Sequence, residues 1–441
     1  VIGRPRLLLF ACGDFAFNLY WQGLMLFLLF YYTDALGLPV ETAAAIYTAA
    51  TVWDGLVNFA VGTLGDRWRP RGGYRRMLML GAVPLGLACI LTYLPPVLDG
   101  PAGVALILGG HLLFRTAYAA VNIPYLAMSA RISSDSRDRA FIAGARMLFG
   151  TLAWVVVARG TIPIGAWFAG TAVPARVYLG AAVAFAALGT GILLIVGASY
   201  RSNGAPETTK ATPPSIGAAL RSIAANRAFV TLNVAMMAMI VATSILGKSV
   251  LYYFKYFLHD EAAGQEALGW MGVMSGFAVP VWMLLQRQIG GRALWFVAAG
   301  ACILGLVLFG TLRIGSIWGM QLYLVAMQAA IVGLHFVFWA MLPNTIEYGE
   351  RTTGLRVEGV VFGMAALLQR IAIGVATLIL GIGFGSAGYV ANAEQQAGTL
   401  AAMRWTIAGA PLGFFLLSCA AMLLNPLGRG AHARLLQMMR R

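Results

Sequence analysis

Acidic residues are few in this chain. Sixteen Asp and Glu stand against 31 Lys and Arg in 441 residues, and all four charged types together make up only 11% of the sequence. So little charge excludes a disordered chain and an ordinary soluble surface. Cysteine is scarce too: Cys12, Cys89, Cys302 and Cys419 stand singly in apolar segments with no CxxC spacing. They read as small core residues, and neither a disulfide nor a metal site follows from them. The four histidines show no metal-ligand spacing. With no phosphate loop and no Ser/His/Asp constellation either, an enzyme is the least supported class and no cofactor is expected.

What the chain has is apolar length. It is 60% hydrophobic with a mean hydropathy of +0.79, the composition of a polytopic membrane protein. A hydrocarbon layer about 30 Å thick needs about 20 apolar residues per helix. Twelve runs of that kind fall near 7–32, 42–65, 77–97, 102–129, 141–169, 177–199, 228–257, 265–286, 293–312, 315–343, 358–386 and 400–425. Helices alone satisfy every backbone group within such a run, and the runs are too long for barrel strands, so an all-α membrane protein is expected. The first run is about twice a signal-peptide core and lacks a convincing cleavage site, so it reads as a retained helix.

The net charge of +15 would suggest nucleic acid in a soluble chain, but its placement argues against that. Twenty-two of the 31 cations lie in the even-numbered connections and at both ends, against three (Arg176, Arg313, Arg404) beside the odd-numbered ones. The positive-inside rule puts both termini in the cytoplasm of an inner-membrane, multi-pass protein, which agrees with an even helix count. The longest polar connection, 200–227 with SNGAPETTKATPPS, divides an N-terminal half (1–199) from a C-terminal half (228–441). Two six-helix halves are an architecture in which one half can rock against the other.

Asp54 is the sharpest single signal, because it lies midway along the second run. A carboxylate at the centre of a membrane helix costs about 2.5–3.5 kcal/mol on insertion scales, so such residues are read as functional. The plain alternative is a carboxylate neutralised by a buried Arg. Thr51, Asp54, Asn58 and Gly62 share one helix face, as do Asp14, Asn18 and Gln22 on the first run, with Trp21 beside them. The fourth run presents Arg115, Tyr118, Asn122 and Tyr125; the fifth contributes Arg146 and Arg159. The second half is sparser, with Lys248 and Lys255, His335 and Trp339, and Gln369 and Arg370. Lys255 is near enough to a helix end to snorkel. Six cations and two carboxylates within the spans describe an electropositive interior, which suits a solute carrying a carboxylate, sulfate or phosphate.

Three stretches and one loop carry a resemblance. Gly62-Thr-Leu-Gly-Asp66-Arg67 with its basic run resembles the loop after the second helix of the major facilitator superfamily. Gly13-Asp14-Phe15 with Tyr31-Tyr-Thr-Asp34-Ala-Leu-Gly37, Asn122-Ile-Pro-Tyr125, and Pro343-Asn-Thr-Ile-Glu-Tyr-Gly-Glu350 with Thr353-Gly-Leu-Arg356-Val-Glu-Gly359 and Gln369-Arg370 narrow it further. Together they resemble the glycoside-pentoside-hexuronide:cation symporter family, the group containing melibiose permease, over essentially the whole chain. The resemblance implies a twelve-helix major facilitator fold and import of a sugar-like solute or anionic sugar derivative by alternating access, coupled to Na⁺ or H⁺. It further implies a monomer in the lipid bilayer. By that resemblance Asp54, with Asn58 and Thr51, is the cation site. Asp14, Tyr118, Asn122 and Arg146 stand where the family binds its sugar, and Arg370 near that site; from the polar rows and the interior charge, Asn18 is expected to join them, with Arg115, Lys248 and Arg370 as anion contacts, and Asp66, Arg67, Glu347 and Arg356 are expected as cytoplasmic latches.

This chain departs from the family pattern in places. Asn58-Phe59 stands where the family has a second acid and Pro, Asn344 where it has Asp, and Asn122 and Leu126 differ from melibiose permease. These changes argue against melibiose and leave one negative charge at the cation site. Other readings of the same sequence are an uncoupled facilitator, a Na⁺-coupled lysolipid carrier, and a membrane sensor or assembly factor on the same scaffold.

Overall fold

The computed structural model describes residues 3–64, 73–132, 136–200, 216–312, 314–355 and 357–428. Among them every regular element is helical. The helices are α1 Arg4–Ala11, α2 Gly13–Phe30, α3 Val40–Leu64, α4 Gly73–Thr92, α5 Gly100–Arg131, α6 Ser136–Ala169, α7 Pro174–Ser199, α8 Ile216–Ala225, α9 Arg227–Tyr256, α10 Glu261–Ile289, α11 Gly291–Thr311, α12 Ile317–Thr353, α13 Glu358–Ser386 and α14 Ala397–Leu423. Eleven stretches are long and apolar enough to cross a membrane, the first of them running from Arg4 to Ala35 through α1, α2 and the turn that follows. The remaining expected run is α3. Its 25 residues span roughly 37 Å, long enough to cross a hydrocarbon layer. The twelve runs read from the sequence are therefore twelve long helical segments.

The chain divides into two compact units: Val1–Thr208 with Val390–Glu394, and Thr209–Tyr389 with Gln395–Arg441. In the first unit α2 packs between α6 and α7, α3 lies along α5, and α4 lies against α5 and α7. In the second, α9 packs against α13 and α14, and α12 against α10 and α11. Close packing depends on small residues at the crossings. Gly13 is a clear case, since a Cβ there would sit 2.7 Å from the Tyr125 ring of α5.

Two local features were not expected. α2 ends in a π-helical turn over Tyr31–Ala35, closed by Leu36 N–H to the Tyr31 carbonyl at 3.0 Å. The Thr33 hydroxyl lies 2.7 Å from an Asp34 carboxylate oxygen and within 3.4 Å of two backbone carbonyls of its own helix, so its side chain competes with the α-helical ladder there. The second feature is α8, which falls inside the segment read as a plain linker. Its Ser222 hydroxyl is 2.7 Å from that of Thr353 on α12, and Asn226, directly after it, donates to the Thr345 carbonyl at 2.7 Å. Asn226 also caps α9 by accepting from Phe229 N–H, which fixes the corner between the two helices.

Candidate functional site

Asp14 lies in the first turn of α2, directly after the junction with α1. Arg146 reaches it from α6, donating from Nε at 3.0 Å and from Nη2 at 2.9 Å, both to Oδ1. Putting both bonds on one oxygen uses one edge of the guanidinium and leaves its Nη1 end outside the pair. Asn18, one turn along α2, donates to the Asp14 carbonyl at 2.8 Å and stands 3.4 Å from Oδ2, and Gln22 continues the row by donating to Asn18 at 3.4 Å. Gly150 on α6 makes room for this row, as a Cβ there would meet the Asn18 amide at 3.3 Å. The pair is half-buried, with 24% of the Arg146 side chain and 17% of Asp14 exposed.

Aromatic side chains from α2 and α5 flank this row. The Arg146 guanidinium lies 5.5 Å from the Tyr125 ring centroid, and the Tyr125 hydroxyl is anchored on the Phe10 carbonyl at 2.9 Å. Tyr118 is buried and packs on Trp21 at 5.6 Å and edge-on to Phe17 at 5.7 Å. Asn122, one turn below Tyr118, is half-buried. The first unit thus brings Asp14, Asn18, Arg146, Tyr118 and Tyr125 to one region built from α2, α5 and α6. Ion-pair, amide and aromatic surfaces of this kind suit a polyhydroxylated solute bearing a charge.

A second cluster, between α3 and α5, is dry. Asp54 and Arg115 both have 0% side-chain exposure and face each other at 3.5 Å. Asn58 donates to the Asp54 carbonyl at 2.7 Å and to its Oδ1 at 2.9 Å. Both bonds come from the same amide nitrogen to acceptors, so the orientation follows from the partners. Arg115 Nε–H donates to His111 Nε2 at 3.2 Å. Because Arg is only a donor, that His nitrogen must accept, so His111 carries its proton on Nδ1 and points it at the Tyr32 hydroxyl, 3.2 Å away. Trp21 and Tyr47 face the guanidinium at 5.0 and 5.8 Å. The Thr51 hydroxyl donates to the Tyr47 carbonyl at 2.8 Å, in its own helix.

These contacts correct the sequence reading in one place. Arg115, read there as an anion contact, is the buried partner of Asp54, so the plain alternative for that acid is the arrangement observed. Arg159 is exposed on α6. The two carboxylates of the spans each take one of the six cations, which removes Arg115 and Arg146 from any tally of uncompensated charge.

In the second unit Lys248 is buried on α9, and Arg370 and Gln369 are half-buried on α13. The His335 ring lies 3.1 Å from the Ile331 carbonyl of its own helix, and Lys255 pairs with Glu261 at 3.9 Å. Glu347 is half-buried on α12. Asp66, Arg67 and Arg356 lie outside the described residues.

A family profile described as MFS/sugar transport protein matches residues 9–429. This chain belongs to the MFS/sugar transport family. Among its relatives are the glucuronide carrier protein homolog of Escherichia coli K12, 26% identical with 95% of this chain and 91% of the relative covered, and the isoprimeverose transporter of Lactiplantibacillus pentosus, 25% identical with 94% and 87% covered. A solved D-xylose–proton symporter superposes with a TM-score of 0.64 at 14% identity, covering 95% of each chain, and shows the same fold. The twelve long helices in two halves are accordingly a major facilitator fold, and the chain is a multi-pass membrane transporter of that family.

For this MFS/sugar transport member, the residues that sequence reasoning missed are His111, Tyr32 and Tyr47. His111 stands four residues before Arg115 on one helix face, a spacing visible in the sequence. Tyr32 and Tyr47 carried no such signal, because the π turn that aims Tyr32 at His111 is itself hidden from helical periodicity.

Proposed function

We propose that the protein imports a sugar acid across the inner membrane by alternating access, with Arg146 exchanging its Asp14 partner for the anionic group of the solute. What carries this reading is the Asp14–Arg146 pair, partly exposed and resting on one carboxylate oxygen. A solute carboxylate or sulfonate offers the Nη1 end of the guanidinium two oxygens for paired N–H donation, while Asp14, Asn18 and Asn122 take sugar hydroxyls and Tyr118 stacks on the ring. Glucuronide, named for one relative, is an anionic sugar of this class, whereas isoprimeverose, named for the other, is neutral. The Arg on α6 favours the acid.

Lys248 and Arg370 are proposed as further contacts to the anion, and Asp66, Arg67, Glu347 and Arg356 as cytoplasmic latches that break and re-form as the halves rock. Both termini are assigned to the cytoplasm on the loop charges, and the working unit to a monomer. Cation coupling is assigned to Asp54, the acid at the centre of α3. A thermal-shift screen of purified protein against pairs of neutral sugars and their uronic or sulfonic acids tests the reading. Stabilisation by acids, lost in Arg146→Gln, supports it, and stabilisation by the neutral partners alone overturns it.

A further inference from the structure

We infer that Arg115 is a tethered counter-cation that occupies the place of a coupling ion at Asp54 and closes that site to Na⁺ and Li⁺. The inference rests on the assignment of coupling to Asp54 and on nothing about the solute. Alkali ions, like other hard cations, are held by oxygen ligands. The contacts described at the Asp54 carboxylate include two N–H groups: the Asn58 amide donates to Oδ1 at 2.9 Å, and the Arg115 guanidinium stands 3.5 Å from Oδ2, paired with it by charge and without a hydrogen bond. That is the surrounding of a bound anion. The one ring nitrogen of His111 able to accept is taken by Arg115.

Charge leads to the same conclusion. Asp54, Arg115 and a neutral His111 sum to zero in a region with no solvent exposure at either charged side chain, so a metal ion gains no net attraction on entry. To reach Oδ2 it would have to displace a guanidinium that is covalently tethered, seated on Trp21 and Tyr47, and hydrogen-bonded to His111. The second acid that would restore a net negative charge is Asn58 in this chain. A proton is not excluded in this way: delivered by a hydronium ion when the site opens to water in the transport cycle, it breaks an O–H bond of that ion and leaves a neutral water, forms an O–H bond on Oδ2, removes the negative charge and releases the ion pair, while the guanidinium keeps its own charge. Arg115 thereby sets which ions the coupling acid can accept.

The test needs no solute. Purified protein is melted with about 0.1 M NaCl against the same concentration of choline chloride, for wild type, Arg115→Gln, Arg115→Lys and the double variant Asp54→Asn/Arg115→Gln. The expected results are no Na⁺ response in wild type, Arg115→Lys or the double variant, and a rise in Tm of about 2 °C or more for Arg115→Gln, where Na⁺ relieves an uncompensated carboxylate. Recovery of folded Arg115→Gln only from Na⁺-containing buffers supports the inference equally. A Na⁺-dependent rise in wild type overturns it whatever the variants do, as does a folded Arg115→Gln that ignores Na⁺. A wild type that ignores Na⁺ while no solute is found leaves the ion assignment standing and removes only the solute reading.

Discussion

Asp14 and Asp54 are both carboxylates paired with Arg in the first unit, yet they stand in opposite surroundings. The Asp14–Arg146 pair is partly open and holds by one oxygen, so breaking it costs little when a solute anion replaces Asp14. Arg146→Lys keeps the charge but loses the fork, and the expected outcome is at least a tenfold loss of affinity for an acid in a binding assay. The Asp54–Arg115 pair has no exposure, and removing one partner leaves a buried charge. Asp54→Asn and Arg115→Gln singly should each cost about 3–5 kcal/mol of stability, and the double change less than either, in a denaturation series. Gly13→Ala would push a methyl group into the Tyr125 ring behind the solute row. A cost of about 1–3 kcal/mol is expected from such overpacking, with weakened binding because Tyr125 supports Arg146.

Individual site residues were legible where the signal runs along one helix. The rows Asp14–Asn18–Gln22 and Asp54–Asn58 are four-residue repeats, and both form the bonds that spacing implies. Pairing across helices was not legible. Arg115 and Arg146 are both cations on a polar helix face, and nothing in the sequence says that one meets a buried acid and the other a half-open one. That difference arises from helix packing, which the sequence of a single helix does not contain.

Among the elements, the long helices follow from hydrophobic length, which is why the twelve apolar runs reappear as long helical segments. Features set by side-chain competition or by docking were missed. The π turn at Tyr31–Ala35 depends on Thr33 and Asp34 contending for backbone partners, and α8 depends on a face that meets α12 through Ser222 and Thr353. Asn226 is the joint between α8 and α9, serving as a cap and as a donor to the Thr345 carbonyl. Asn226→Ala should therefore destabilise the protein by about 1–3 kcal/mol, from a lost cap and an unsatisfied carbonyl, read as a lower unfolding midpoint.

For the whole molecule, the family gives a fold, while solute identity depends on a few polar side chains within a largely apolar molecule. Family and fold were legible because they are written over hundreds of residues. Solute choice was less so, since relatives sharing about a quarter of their residues with this chain are named for an acidic and a neutral sugar alike. The account is tested most directly by counterflow in proteoliposomes loaded with a hexuronic acid, against the matching neutral hexose, using wild type and Arg146→Gln. The prediction is exchange of the acid by wild type, at least tenfold faster than of the hexose, and loss of that preference in the variant. Faster exchange of the neutral hexose by wild type, or an unchanged acid preference without Arg146, would contradict it.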